Sequence, residues 1–158
     1  MSVQRSGNSE ALRQRLRELS RKQVEVGFFE TAHYPDGTPV AYVAAIQEFG
    51  SPQNNIPARP FFRPTVSGER GAWQENMRQA VAAIARGDVR LVPALTQVGL
   101  AAAADVSTTI TRVSDPALSE ATIYNRLHRT NKQRNQSTKP LIDTGLMLQS
   151  VTAQVTDK

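Results

Sequence analysis

Cysteine is absent from this 158-residue chain. That excludes disulfide frameworks, thiolate metal sites and cysteine nucleophiles together. Histidine is nearly as scarce. Its two copies, His33 and His128, are far apart in the chain and neither has a second histidine at metal-ligand spacing. No uninterrupted apolar run approaches the roughly 20 residues needed to cross a bilayer. The opening stretch MSVQRSGNSEALRQRLRELSRK is polar and charged, without the apolar segment of a signal peptide. A glycine-rich phosphate loop is missing too: the nearest stretch, SGERG at Ser67 to Gly71, is short and lacks the Lys-Ser/Thr ending. The serines and threonines have no recognisable base with an orienting acid.

Carboxylates offer the one local group that could converge, Glu25, Glu30, Asp36 and Glu48. A metal-dependent hydrolase built on Glu25, Glu30 and Glu48 is therefore the enzymatic alternative, although a divalent site wants carboxylates at close range and nothing in this spacing demands one. The expectation is a protein with no cofactor, no metal and no catalytic group.

Apolar residues make up 39% of the chain, and the mean hydropathy is -0.41. The length suits one domain, residues 1–158, with a single core. The low apolar fraction suggests arms or loops that find partners on other chains. A net charge of +5 and a pI near 10.1 favour polyanions such as DNA, but the excess is modest beside dedicated DNA binders.

Residues 1–22 read as an N-terminal amphipathic helix. Its regular part is Asn8 to Arg21, with Leu12, Leu16 and Leu19 on one side and Arg13, Arg15, Arg17 and Lys22 on the other. Val24 to Phe29 alternates as a half-buried strand. Pro35-Asp36-Gly37 is turn chemistry, and Thr38-Pro39 opens a second helix that Gly50 ends. From Ser51 to Pro64, four prolines predict an irregular, rigid loop anchored by Ile56, Phe61 and Phe62. A third helix is predicted over Gly71 to Arg86. A long fourth covers Val89 to Arg112, burying Val92, Leu95, Val98, Ala102, Val106 and Ile110, and its alanine run Ala101 to Ala104 allows close approach by another element. Asp115-Pro116 breaks that helix. Ser119 caps a short helix, Glu120 to Arg129. Residues 130–139 read as a mobile basic loop, Asp143 or Thr144 caps a last short helix, and a final strand follows from Val151. The sum is an α+β fold: a small, mainly antiparallel sheet packed by two long helices, with an extended Pro-rich loop and a basic loop.

Arg126, Arg129, Lys132, Arg134 and Lys139 lie together without an intervening acid. Such a segment can track a phosphate backbone without reading sequence, dock on an acidic partner, or simply remain solvated. It contains no aromatic residue for stacking on single strands.

Three stretches carry a resemblance: VEVGFFETAHYPDGTPVAYVAAIQEFG, then IPARPFFRP at Ile56 to Pro64, then the pair LSEATIYNR and KPLIDTGLMLQSV. In this order the chain resembles phage tail-completion and minor tail proteins, the broad neck-protein group related to the tail protein Z of phage lambda. The resemblance covers Val24 to Val151. It implies a non-catalytic α+β subunit of a homo-oligomeric ring, a hexamer, at the head–tail junction of the virion. Its partners would be copies of itself, the tail terminator and the head-side connector, with non-specific contact to packaged DNA and none to membrane. Synthesis would take place in the bacterial host cytoplasm. Within that group a tail terminator or another neck ring is the near alternative, and a freestanding basic DNA-binding protein the distant one. The Pro-rich loop loses little entropy on docking. Arg59, Phe61, Phe62 and Arg63 are therefore the expected subunit-interface residues, with the aromatic pair either seated in a neighbour or capping its own core. Arg126, Arg129, Lys132 and Arg134 are expected to face the DNA channel or a partner ring. The terminal strand could pair within its own subunit or with a neighbour.

Overall fold

A computed structural model describes residues 3–132 and 134–158. Among them the chain forms an α+β fold of six helices and one two-stranded antiparallel sheet. In chain order these are α1 (Val3–Ser20), β1 (Lys22–Gly27), α2 (Val40–Phe49), α3 (Phe62–Arg86), α4 (Leu91–Arg112), α5 (Glu120–His128), α6 (Leu146–Ser150) and β2 (Thr152–Asp157).

The sheet joins the two ends of the chain. Lys22 pairs with Asp157, Val24 with Val155 and Val26 with Ala153. Because side chains alternate across a strand, Val24 and Ala153 share the face that meets α4. Glu25, on the other face, accepts hydrogen bonds from Gln23 (2.9 Å) and Gln154 (2.8 Å). The last strand thus pairs within the chain.

Helix α4 is the central element, packed on α3 and on both strands. It buries Leu95, Gly99, Ala102, Ala103, Val106 and Ile110, close to the face its apolar spacing predicts. Val92, expected inside, is 47% exposed on the first turn of α4. The closest approach is at Gly99: a Cβ there would stand 2.7 Å from both the Ala153 Cβ and the Val24 Cγ1. By length and composition alone α4 could cross a membrane, contrary to the expectation from sequence; its apolar character is used here in packing between α3 and the sheet.

Helix α3 corrects the reading of the Pro-rich stretch. It starts at Phe62, inside the segment expected to be irregular. Pro64 falls in its first turn, where a missing N–H leaves no intrahelical bond unmade. Two helix starts also move. Pro39, not Thr38, takes the position before α2, and Gly145 rather than Asp143 or Thr144 precedes α6. Residues 135–139, within the loop expected to be mobile, and the following stretch to Ile142 are tied to α5 through Arg126, whose carbonyl also accepts from the Asn135 N–H.

The main core gathers Val40, Ala44, Phe61, Val106, Ile110, Leu141 and Met147, with Phe28 meeting Phe61 edge-on at 6.1 Å. Helix α1 is held less completely. Arg15 donates to the Ala85 carbonyl at the end of α3 (3.2 Å), but Leu12 and Leu16 remain 37% and 43% exposed.

Candidate functional site

The segments that carry the resemblance meet around three buried charged side chains. The first is Glu48, which is 4% exposed. Gly50 ends α2 with a positive φ of 75°, and a Cβ there would lie 2.8 Å from the Ala58 backbone nitrogen. The chain can therefore double back tightly, through a Ser51–Ile56 bridge and a bond from the Arg59 N–H to the Gln47 carbonyl (2.7 Å). This return brings the start of α3 onto the Glu48 carboxylate. The N–H groups of Phe61 (2.7 Å), Phe62 (2.8 Å) and Arg63 (3.2 Å) donate to it, as does the Arg63 Nε (2.8 Å). A carboxylate at a helix N-terminus satisfies otherwise unpaired donors and faces the positive end of the helix dipole. Burial alone would raise the pKa of Glu48. The bonds from the Phe62 amide, the Arg63 side chain and the Phe61 and Arg63 amides outweigh it and hold the carboxyl below the ordinary range.

The second is Arg59, 7% exposed. Its guanidinium donates to the carbonyls of Pro116 (2.7 Å) and Ala117 (3.2 Å). It thereby fastens the Pro-rich stretch to the turn between α4 and α5, where the Asp115–Pro116 peptide is cis.

The third is Arg126, 8% exposed. It donates to the carbonyls of Ser137 (3.2 Å), Lys139 (2.9 Å), Pro140 (3.1 Å) and Ile142 (3.2 Å), and its Nε lies 3.4 Å from the Asp143 carboxylate. Arg129 reaches the other oxygen of Asp143 at 2.8 Å. Burial lowers the pKa of Arg126, and the Asp143 charge opposes that. Burial would likewise raise Asp143, but Arg129, Arg126 and Asn135 bring it below the usual carboxylate range. Beside this cluster opens a cleft of about 310 Å³, lined in part by Tyr34, Asp36, Lys132, Leu141 and Asp143. Burial, then the charges of Asp143 and Asp36, push the Tyr34 hydroxyl pKa up.

These positions revise the expected sites. Arg59, expected at a subunit interface, and Phe61, expected either there or in its own core, are both inside the fold: one holds backbone carbonyls and the other fills the core. Phe62 is half-buried. Arg63 is exposed but bonded to Glu48, and its guanidinium stands 4.9 Å from the centre of the Phe49 ring. Arg126, expected to face a DNA channel, is buried, and Arg129 is half-buried on Asp143. Desolvation makes an unpaired internal cation costly, and the carbonyls and Asp143 are what make these positions tenable. Only Lys132 and Arg134 of that group are exposed.

The carboxylates considered for metal do not come together: Glu25 is on the sheet, Glu30 on the surface and Glu48 under α3. Among the described residues no group of three or more His, Asp or Glu is placed to hold a metal ion. His128 stacks on Tyr124 at 4.0 Å, and His33 forms a backbone bridge with Pro39. Sequence reasoning missed the roles of Glu48 and Asp143. A usable signal was present at Glu48: an acid just before a helix-ending glycine, followed by Phe-Phe-Arg-Pro with proline in a first-turn position. Comparison of the chain with family models, curated proteins and solved structures finds no match.

Proposed function

We propose that this chain is a structural subunit of a phage head–tail connector ring, a tail-completion protein that joins tail to head around the DNA channel and performs no chemistry of its own. The observation that carries the reading is the way the resembling segments lock together. Glu48 joins the first to the second, Arg59 joins the second to the turn before the third, and Arg126 with Asp143 joins the two halves of the third. Their charged residues serve shape, as a ring subunit requires.

Exposed apolar side chains support assembly. Tyr42 (61%) and Phe49 (65%) lie on the outer side of α2, and Leu12 and Leu16 on α1. Apolar groups on two separate faces of one chain suit head-to-tail contact, the kind that closes into rings. The interface we propose therefore centres on Tyr42, Phe49 and Arg63, next to the Pro-rich return, in a ring of six. Its neighbours would be the tail terminator and the head-side connector, and its location the virion neck after synthesis in the host cytoplasm.

Cryo-electron microscopy of particles of the source phage tests this. A ring of this chain at the head–tail junction, with Tyr42 and Phe49 against a neighbour, is the expected result. Density at the tail's end-cap layer instead would make it a terminator. A particle lacking the chain would overturn the connector role and leave the freestanding DNA-binding alternative.

A further inference from the structure

With Arg126 and Arg129 engaged inside the fold, the basic tract keeps few cations for a partner, and a second group lies at another end of the molecule. Helix α1 turns Ala11, Arg15 and Leu19 toward the body of the protein and leaves Arg13 and Arg17 exposed on the opposite side, one turn apart; Arg21 follows just past the helix end. From Arg13 to Arg21 the rise is about 12 Å, the axial length of roughly three to four base pairs. Arg21 shares a cleft with Arg90, the residue before α4, and Lys22, Glu18 and Asp157 line it as well. The carboxylates at this end are largely engaged. Glu10 pairs with Arg13, Asp88 with Arg86 and Asp157 with Lys22, while Glu18 accepts from Gln14. Among the described residues no carboxylate lies within ion-pair distance of Arg17, Arg21 or Arg90. In the basic tract at the end of α5 two arginines are inside the fold and Lys132 lines a cleft that also holds Asp36 and Asp143, which leaves Arg134 and Lys139 exposed without a second cationic element beside them.

We infer that the end of the molecule formed by α1 and the α3–α4 turn binds the phosphate backbone of duplex DNA through Arg17, Arg21 and Arg90, without reading sequence. Guanidinium groups on an exposed strip displace counterions from successive phosphates, and that release gives affinity that falls steeply with salt. The inference rests on the connector reading only for its setting, since binding is measured on the isolated chain.

The test is titration of the full-length protein with a short random-sequence duplex over a range of salt. The wild type is expected to bind with a steep salt dependence. Arg17→Gln/Arg21→Gln/Arg90→Gln is expected to bind at least about tenfold more weakly at low salt, with the log–log slope shallower by about two to three. Lys132→Gln/Arg134→Gln is the comparison and should stay near wild type. An unchanged thermal transition establishes that both variants fold. The inference is overturned if the wild type does not bind duplex, if the triple variant binds as wild type does, or if the loop variant loses as much. Arginine-dependent binding to phosphatidylserine vesicles without binding to DNA would overturn it as well. A ring found in the particle together with a fully binding triple variant sinks this inference and spares the connector role. A chain missing from the particle together with a weakened triple variant does the reverse.

Discussion

At the scale of single residues, Glu48 has the clearest measurable consequence. Its buried carboxylate accepts three backbone N–H groups and the Arg63 guanidinium, so replacing it strands several donors at once. Glu48→Gln should destabilise the fold by about 2–4 kcal/mol at neutral pH. The pH dependence has a definite sign. The folded carboxyl titrates below its ordinary value, so between the folded and unfolded values the unfolded chain binds the extra proton. The stability from this charge is therefore complete above the unfolded value of about 4.3 and is lost as pH falls through the lower folded one. Asp143, also held low, acts in the same direction. Urea unfolding at neutral and acid pH checks this: the gap between wild type and Glu48→Gln should be wide at neutral pH and narrow in acid. An equal gap at both would mean that the charge is not what matters. Arg126 gives a second residue-scale prediction. Arg126→Met keeps bulk but removes the donors to four carbonyls between Ser137 and Ile142. Faster amide exchange confined to residues 135–143, ahead of global unfolding, is the expected result, and unchanged exchange there would count against the role given to it.

At the scale of elements, two kinds of helical glycine should respond in opposite ways. Gly68 and Gly71 lie within α3, and a Cβ at either would meet nothing within 4 Å. Gly68→Ala should stabilise by about 0.5–1 kcal/mol, because alanine has less backbone freedom to lose in a helix. Gly99→Ala makes the same gain but drives its Cβ to 2.7 Å from the Ala153 Cβ, which is fixed to the backbone, and from the Val24 Cγ1, which can move only by leaving its χ1 rotamer. Overpacking of that kind costs about 1–3 kcal/mol and should win. Thermal unfolding of the two variants decides it, and shifts of the same sign would refute the close helix-to-sheet contact. The buried side of α4 was legible in sequence because apolar spacing records it directly, while the closest approach falls at Gly99, just before the alanine run expected to allow one. The start of α3 was not legible. Four prolines argue against a helix interior, but Pro64 sits in a first turn, and the acid that completes that turn is Glu48, in a different helix. The basic tract misled for a related reason. Sequence records that Arg126 and Arg129 are cations, while burial depends on the carbonyls and the Asp143 carboxylate that the fold brings to them.

At the scale of the whole molecule, the sheet is made from the two ends of the chain, and its closure decides whether the domain behaves as one unit. The alternation in each strand was readable locally. That β1 and β2 pair with each other was not, since a half-buried strand specifies a face and not a partner. Pairing Lys22–Gly27 with Thr152–Asp157 closes nearly the full length of the chain, and the entropy of so long a loop must be offset by what the strands bury. What they bury is specific. Val24, Val26, Ala153 and Val155 form the inner face, and α4 can reach that face because residue 99 is glycine. Removing Thr152–Lys158 would leave the β1 backbone unpaired and expose both the valines and the glycine face of α4. The helices would lose their common surface, and an isolated two-stranded ribbon has little stability of its own to fall back on. The truncated chain should therefore lose its sharp thermal transition while keeping part of its helical circular dichroism. A peptide matching Ser150–Lys158, added in trans, should restore the transition in a concentration-dependent way. A truncated chain that still unfolds cooperatively at the wild-type temperature would mean that α3 and α4 hold the domain alone, with the joined ends only a trim on a helical core.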